Sequence, residues 1–213
     1  MYDTEQEQIE AIKGWWAIYG NGVIGGILAV LIAYFGWMYY TNSIESKQQE
    51  ASGLYSTLMD LADDPNSSVN ERLALVSTLK SDYQDTAYAV YAALQAAKDQ
   101  VEQNDLDAAE TELSWAAGQA DSVLRPLVLV RLARVQFARS DGSAALVTLD
   151  RIEAEGYDLV VNELRGDIHS VDGNVQAASE AYRLAYEEAQ QQGVESPYLK
   201  MKLDDLVAST DDA

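Results

Sequence analysis

The sequence predicts an all-α protein in which one membrane-crossing helix precedes a solenoid of helical hairpins. Three observations carry this reading. Residues 14–44 contain no Asp, Glu, Lys, Arg or His. Further along, a set of small residues recurs at a spacing of 36 and then 33 residues. Between Thr86 and Ser170 no alternation of period two competes with helical spacing.

Residues 1–16 form an acidic tail, with Asp3, Glu5, Glu7 and Glu10 against Lys13. The span is placed at 17–41. A hydrocarbon core needs about 20 apolar residues in helical form, and Val23 to Tyr40 is almost entirely Val, Ile, Leu, Ala, Phe, Met, Trp and Tyr. Trp15, Trp16 and Tyr19 flank one end and Trp37, Tyr39 and Tyr40 the other, where amphipathic rings settle at headgroup depth. A cleaved signal peptide would need a basic leader, a shorter apolar run and a small-residue cleavage site. Lys13 and Lys47 are the basic residues nearest the span on either side, so charge alone does not orient it. Gly22 and Gly26 form a small-xxx-small pair that would let another membrane helix approach, although glycine is common in membrane helices anyway.

Residues 42–213 read as one helical-repeat domain. A leading hairpin is expected at 43–83, where Ile44, Ala51, Leu54, Leu58 and Leu61 keep helical spacing until Pro65 and the Asn-Ser-Ser after it break the helix. Repeats follow near 91–191. Ala109, Ala145 and Ala178 stand in Asp-Leu-Asp-Ala-Ala, Asp-Gly-Ser-Ala-Ala and Asn-Val-Gln-Ala-Ala. Twelve residues before them are Ala97, Ala133 and Gly166; four and seven after come Leu113 and Ala116, Leu149 and Ile152, Tyr182 and Ala185. Small residues on both helices of a hairpin let the backbones approach, and the later residues seal it against its neighbour. The spacings bracket the tetratricopeptide period of about 34. Residues 197–207 are expected to form a capping helix over the last apolar face.

Charge and composition narrow the function classes. A net charge of −21 would repel a phosphate backbone, which sets nucleic acid aside. Cysteine is absent, His169 is the single histidine, and no phosphate-binding, nucleophile-elbow or zinc-protease motif occurs. Asp63, Asp64, Asn66, Ser68 and Asn70 imitate a calcium loop. Counted from Asp64, however, the sixth position is Val69 where glycine is required, and the twelfth is Leu75 where glutamate is required. The expectation is therefore a protein-binding module, not an enzyme, with no cofactor and no metal. In a stacked solenoid the first helices line a concave groove suited to peptide capture. Tyr91, Lys98, Arg134, Phe137 and Asp167 are the candidates by register, and the same positions would also suit inter-repeat packing.

Arg131-Leu-Ala-Arg-Val-Gln136, Ala144-Ala-Leu, Thr148-Leu-Asp150, Glu155-Gly156 and Glu163-Leu-Arg-Gly-Asp167 stand in order. Together with the acidic tail, the anchor and the Met201-Lys-Leu segment, they resemble the YfgM-type family of ancillary SecYEG translocon subunits of Gram-negative bacteria. The resemblance covers essentially the whole chain. It implies a single-pass inner-membrane protein with a cytoplasmic N-terminus and a periplasmic tetratricopeptide-like domain. It further implies association with the SecYEG translocon and a periplasmic chaperone of PpiD type, and a role in handling newly secreted client polypeptides. A self-assembling envelope scaffold, or a regulator working through the acidic tail, is the alternative.

Overall fold

A computed structural model describes residues 5–153 and 155–211. The first four residues of the acidic tail lie outside the described residues. Every regular element in the described residues is helical. The chain divides into two units, residues 1–50 and 51–213.

The first unit is built on helix α1 (Glu5–Asp63), whose C-terminal part belongs to the second unit. It contains a stretch long and apolar enough to cross a bilayer. Apolar residues point outward all round this part of the helix, with Trp37 69% and Tyr39 79% exposed. A helix apolar on every side needs an apolar surrounding, because no single face can be buried against one neighbour. A side chain placed at Gly22, Gly25 or Gly26 would meet nothing within 4 Å, so this patch of backbone is open.

The second unit is a succession of helices, each packed on its chain neighbours. They are α2 (Val69–Asp82), α3 (Ala87–Glu102), α4 (Leu106–Gln119), α5 (Arg125–Ala138), α6 (Gly142–Leu149), α7 (Asp158–Val171), α8 (Val175–Gln191) and α9 (Pro197–Asp211). Three hairpins, α3–α4, α5–α6 and α7–α8, join through α4–α5, α5–α7 and α6–α7 contacts, and α9 lies on α8. The core is divided accordingly. Leu58, Val76, Leu79 and Ala92 form its first part, and Val90, Leu94, Leu113, Leu129 and Leu132 the second. Leu149, Leu164 and Ile168 make the third, and Tyr182, Ala185 and Leu199 the fourth. Each buried leucine contributes about 1.5–3 kcal/mol relative to exposure.

The recurring small residues are the hairpin contacts. Ala97, Ala109, Ala133, Ala145 and Ala178 are buried at 3% exposure or less. At Gly166 a Cβ would overlap the Tyr182 ring, so the third hairpin accepts its large Tyr only because the facing residue has no side chain. The turn inside each hairpin repeats as well. Asn104 (φ 60°), Ser140 (φ 64°) and Gly173 (φ 73°) adopt left-handed backbone, and the next residue caps the second helix. Asp105 accepts from the Ala108 N–H at 3.0 Å, Asp141 from Ala144 at 3.0 Å and Asn174 from Ala177 at 3.2 Å. The backbone N–H of each cap also donates at 2.9 Å to a carbonyl five residues back, Gln100, Gln136 or His169, closing the first helix. Three copies of one turn, built from different residues, mark true structural repeats.

Candidate functional site

Side chains on the first helices of the first two hairpins bound a groove of about 410 Å³. Leu94, Ala97, Lys98, Val101 and Glu102 of α3 form one wall, and Arg131, Arg134 and Val135 of α5 the other, with Leu113 of α4 beneath. The motif Arg131 to Gln136 explains how α5 serves both core and groove. Leu132, Ala133, Val135 and Gln136 are buried while Arg131 and Arg134 are exposed. Helical geometry puts residues three apart on one face, so two arginines emerge together once the intervening residues are committed inward.

Gln136 anchors that arrangement. It accepts from the Thr148 hydroxyl at 2.7 Å and donates to Glu110 at 3.0 Å, while Arg139 pairs with Glu110 and Asp107. The buried amide of α5 is thereby satisfied from both α4 and α6, which fixes the rotation of α5. Of the groove cations, Lys98 pairs loosely with Glu102 at 3.7 Å. Arg131 and Arg134 form no ion pair among the described residues.

The candidates named from sequence separate into four places. Lys98, on α3, and Arg134, on α5, both line the groove. Tyr91 belongs to a trio with Tyr55 and Tyr88, ring centroids 5.8–6.2 Å apart. Burial pushes the Tyr55 phenol above its ordinary range, Tyr91 adds to that, and the charge of Arg131 opposes it. Phe137 packs into the core between α5, α6 and α7. Asp167 accepts from the Tyr182 hydroxyl at 2.7 Å and from Lys202 of α9 at 2.6 Å; Lys202 also donates to Glu163 at 3.0 Å. Burial and the hydrogen bond to Asp167 raise the Tyr182 phenol well above its usual range. Burial lowers the Lys202 ammonium, but its bonds to Asp167 and Glu163 outweigh that and raise it.

Sequence reasoning missed Arg131, although its place three residues before Arg134 was a usable signal. It also missed Lys202, which carried none, being 35 residues from Asp167. His169, in the last turn of α7, is half-buried. Asp64 accepts from the Asn66 N–H at 2.9 Å, so its carboxylate shapes the loop between α1 and α2.

Fold and groove together define a helical-repeat protein with, among the described residues, one apolar helix long enough for a bilayer. A family model described as a tetratricopeptide repeat-like domain matches residues 13–208. An ancillary SecYEG translocon subunit of Haemophilus influenzae is 33% identical over 209 residues, covering 96% of this chain and 99% of that one. Its counterpart in Neisseria gonorrhoeae is 30% identical (95% and 97% covered), and that of Escherichia coli 28% (85% and 87%). No solved structure matches. The chain belongs to the tetratricopeptide repeat-like family of ancillary SecYEG translocon subunits.

Proposed function

We propose that this chain is a non-enzymatic, membrane-anchored adaptor of the Sec translocon that assists periplasmic chaperones in handling newly secreted proteins. Residues 17–41 cross the inner membrane once, leaving the acidic tail 1–16 in the cytoplasm and the helical domain 42–213 in the periplasm. The observation that carries the reading is the extent of the similarity. Relatives named as ancillary translocon subunits align over almost all of both chains, apolar helix and hairpins together. An exposed apolar helix in series with a grooved repeat domain suits an adaptor. Tethering raises the effective concentration of whatever the groove holds, with no chemistry required. Partners under this reading are the translocon, a chaperone of PpiD type and client polypeptides.

Isolation of the tagged full-length chain from membranes in mild detergent tests it. Translocon subunits and a membrane-bound chaperone are expected to co-purify; their consistent absence sinks the reading. Carbonate extraction should leave the chain in the membrane pellet, and protease added outside intact spheroplasts should digest the helical domain and spare the tail.

A further inference from the structure

We infer that the groove between α3 and α5 captures an acidic segment of a partner polypeptide, with carboxylates on Arg131 and Arg134 and an apolar side chain against Leu94, Val101 and Val135. This rests on reading the domain as a protein-binding module and adds the chemistry of what it binds.

The argument begins with where cations stand in a chain of net charge −21. Many of its cations are held in ion pairs. Arg72 pairs with Asp99, Lys80 with Glu112, Arg139 with Asp107 and Glu110, Arg165 with Asp150, Arg183 with Glu180 and Glu187, and Lys202 with Glu163 and Asp167. Arg125, Arg151 and Lys200 have none among the described residues, and neither do Arg131 and Arg134, which differ in lining one groove together. Lys98, in the same groove, holds Glu102 only at 3.7 Å. Arginine presents a planar fork of donors that fits a carboxylate in two-point fashion. Two unpaired forks a helical turn apart match carboxylates spaced along a peptide.

The apolar residues of the groove walls supply the second half of the recognition. Leu94 and Val135 are 7% exposed and Val101 is 43% exposed, so apolar surface lies beside the arginines. The groove volume of about 410 Å³ lies within the roughly 300–1,000 Å³ of sites that take small ligands. The remaining negative charge of the domain does not cancel this local attraction. At physiological ionic strength the screening length is about 8 Å, so distant carboxylates count far less than side chains in direct contact. A basic segment would meet two arginines and a lysine against the single carboxylate of Glu102 in the contact zone.

The test uses the full chain in detergent micelles and three short, end-capped fluorescent peptides that alternate leucine with glutamate, glutamine or lysine. Two partly exposed charge pairs are together a matter of about tenfold in affinity, so the glutamate peptide is expected to bind about tenfold more tightly than the glutamine peptide. R131E/R134E should abolish that preference at unchanged helical content. R131K/R134K should keep part of it, and R151E, outside the groove, should keep all of it. Equal or tighter binding of the lysine peptide, or a glutamate preference that survives R131E/R134E, overturns the inference. Translocon co-purification separates the two levels. Co-purification without a glutamate preference overturns the groove chemistry alone, whereas a glutamate preference without co-purification supports the groove chemistry and removes the translocon assignment.

Discussion

The residue that follows the buried small residue of each first helix is Lys98 in the first hairpin, Arg134 in the second and Asp167 in the third. One register position therefore gives opposite outcomes. In the first two hairpins it faces a groove, and the charge is loosely held or has no ion-pair partner. In the third it is occupied: Lys202 reaches from α9 to Asp167 and Glu163, and the Tyr182 hydroxyl completes the cluster. Lys202 also lies 5.3 Å from the Tyr182 ring centroid and 4.7 Å from that of Tyr198, so its ammonium is held by rings as well as carboxylates. A repeat fold fixes where such a side chain points, and the next element along the chain decides whether it stays available. The C-terminal helix uses that position to attach itself, while the earlier hairpins leave it open.

If this contrast is right, substitutions in the third hairpin should cost stability and those in the groove should not. Tyr182→Ala empties a ring site that is 4% exposed and removes the Asp167 hydrogen bond; a loss of about 3–5 kcal/mol is expected in denaturant unfolding of the full chain in micelles. Gly166→Ala forces a methyl into the Tyr182 ring and should cost about 1–3 kcal/mol. Its penalty should largely vanish on the Tyr182→Ala background. Equal penalties on both backgrounds would break the assignment of Gly166 to that contact.

Lys202→Met removes the ammonium that joins α9 to α7 and should cost about 1 kcal/mol, with the C-terminal helix becoming more sensitive to protease. The pH dependence has a definite sign. Lys202 and Tyr182 both have raised folded-state values, so their stabilisation is whole below the ordinary Lys and Tyr range and falls as pH rises beyond about 10. The double variant Tyr182→Phe with Lys202→Met should flatten that alkaline decline. A wild-type decline centred on acidic pH would contradict the cluster as described.

Groove substitutions should register least. R131E/R134E replaces exposed side chains and is expected to shift stability by no more than about 0.5 kcal/mol, read by thermal unfolding followed by circular dichroism. A loss as large as that of Gly166→Ala would mean that the arginines hold the hairpins together, and the contrast between the two regions would disappear.

What was legible in the sequence follows from short-range rules. The uncharged run from Gly14 to Ile44 specifies a helix that no aqueous neighbour can cover, and the period of the small residues specifies the hairpins. Even the turn was written out, since the first residue of each Asp-Leu-Asp-Ala-Ala, Asp-Gly-Ser-Ala-Ala and Asn-Val-Gln-Ala-Ala segment is the cap. The left-handed residue before it was less visible, being Asn104, Ser140 or Gly173. Register placed Lys98 and Arg134 on first helices, but could not separate them from Tyr91, Phe137 and Asp167, which lie in a ring cluster, a core and an ion-pair network.

By itself, then, the sequence determined helical period, hairpin spacing and the apolar span, because each depends on residues within one or two turns of each other or on a repeat of fixed length. Tertiary structure alone decided which charges meet across elements. Asp167 and Lys202 are 35 residues apart and come together only because α8 turns the chain and α9 folds back. Buried Gln136, held by Glu110 and Thr148, fixes the rotation of α5, and Arg131 and Arg134 line the groove with no ion pair among the described residues. Such pairings depend on helix rotation and packing across elements, and no local spacing in the chain encodes them.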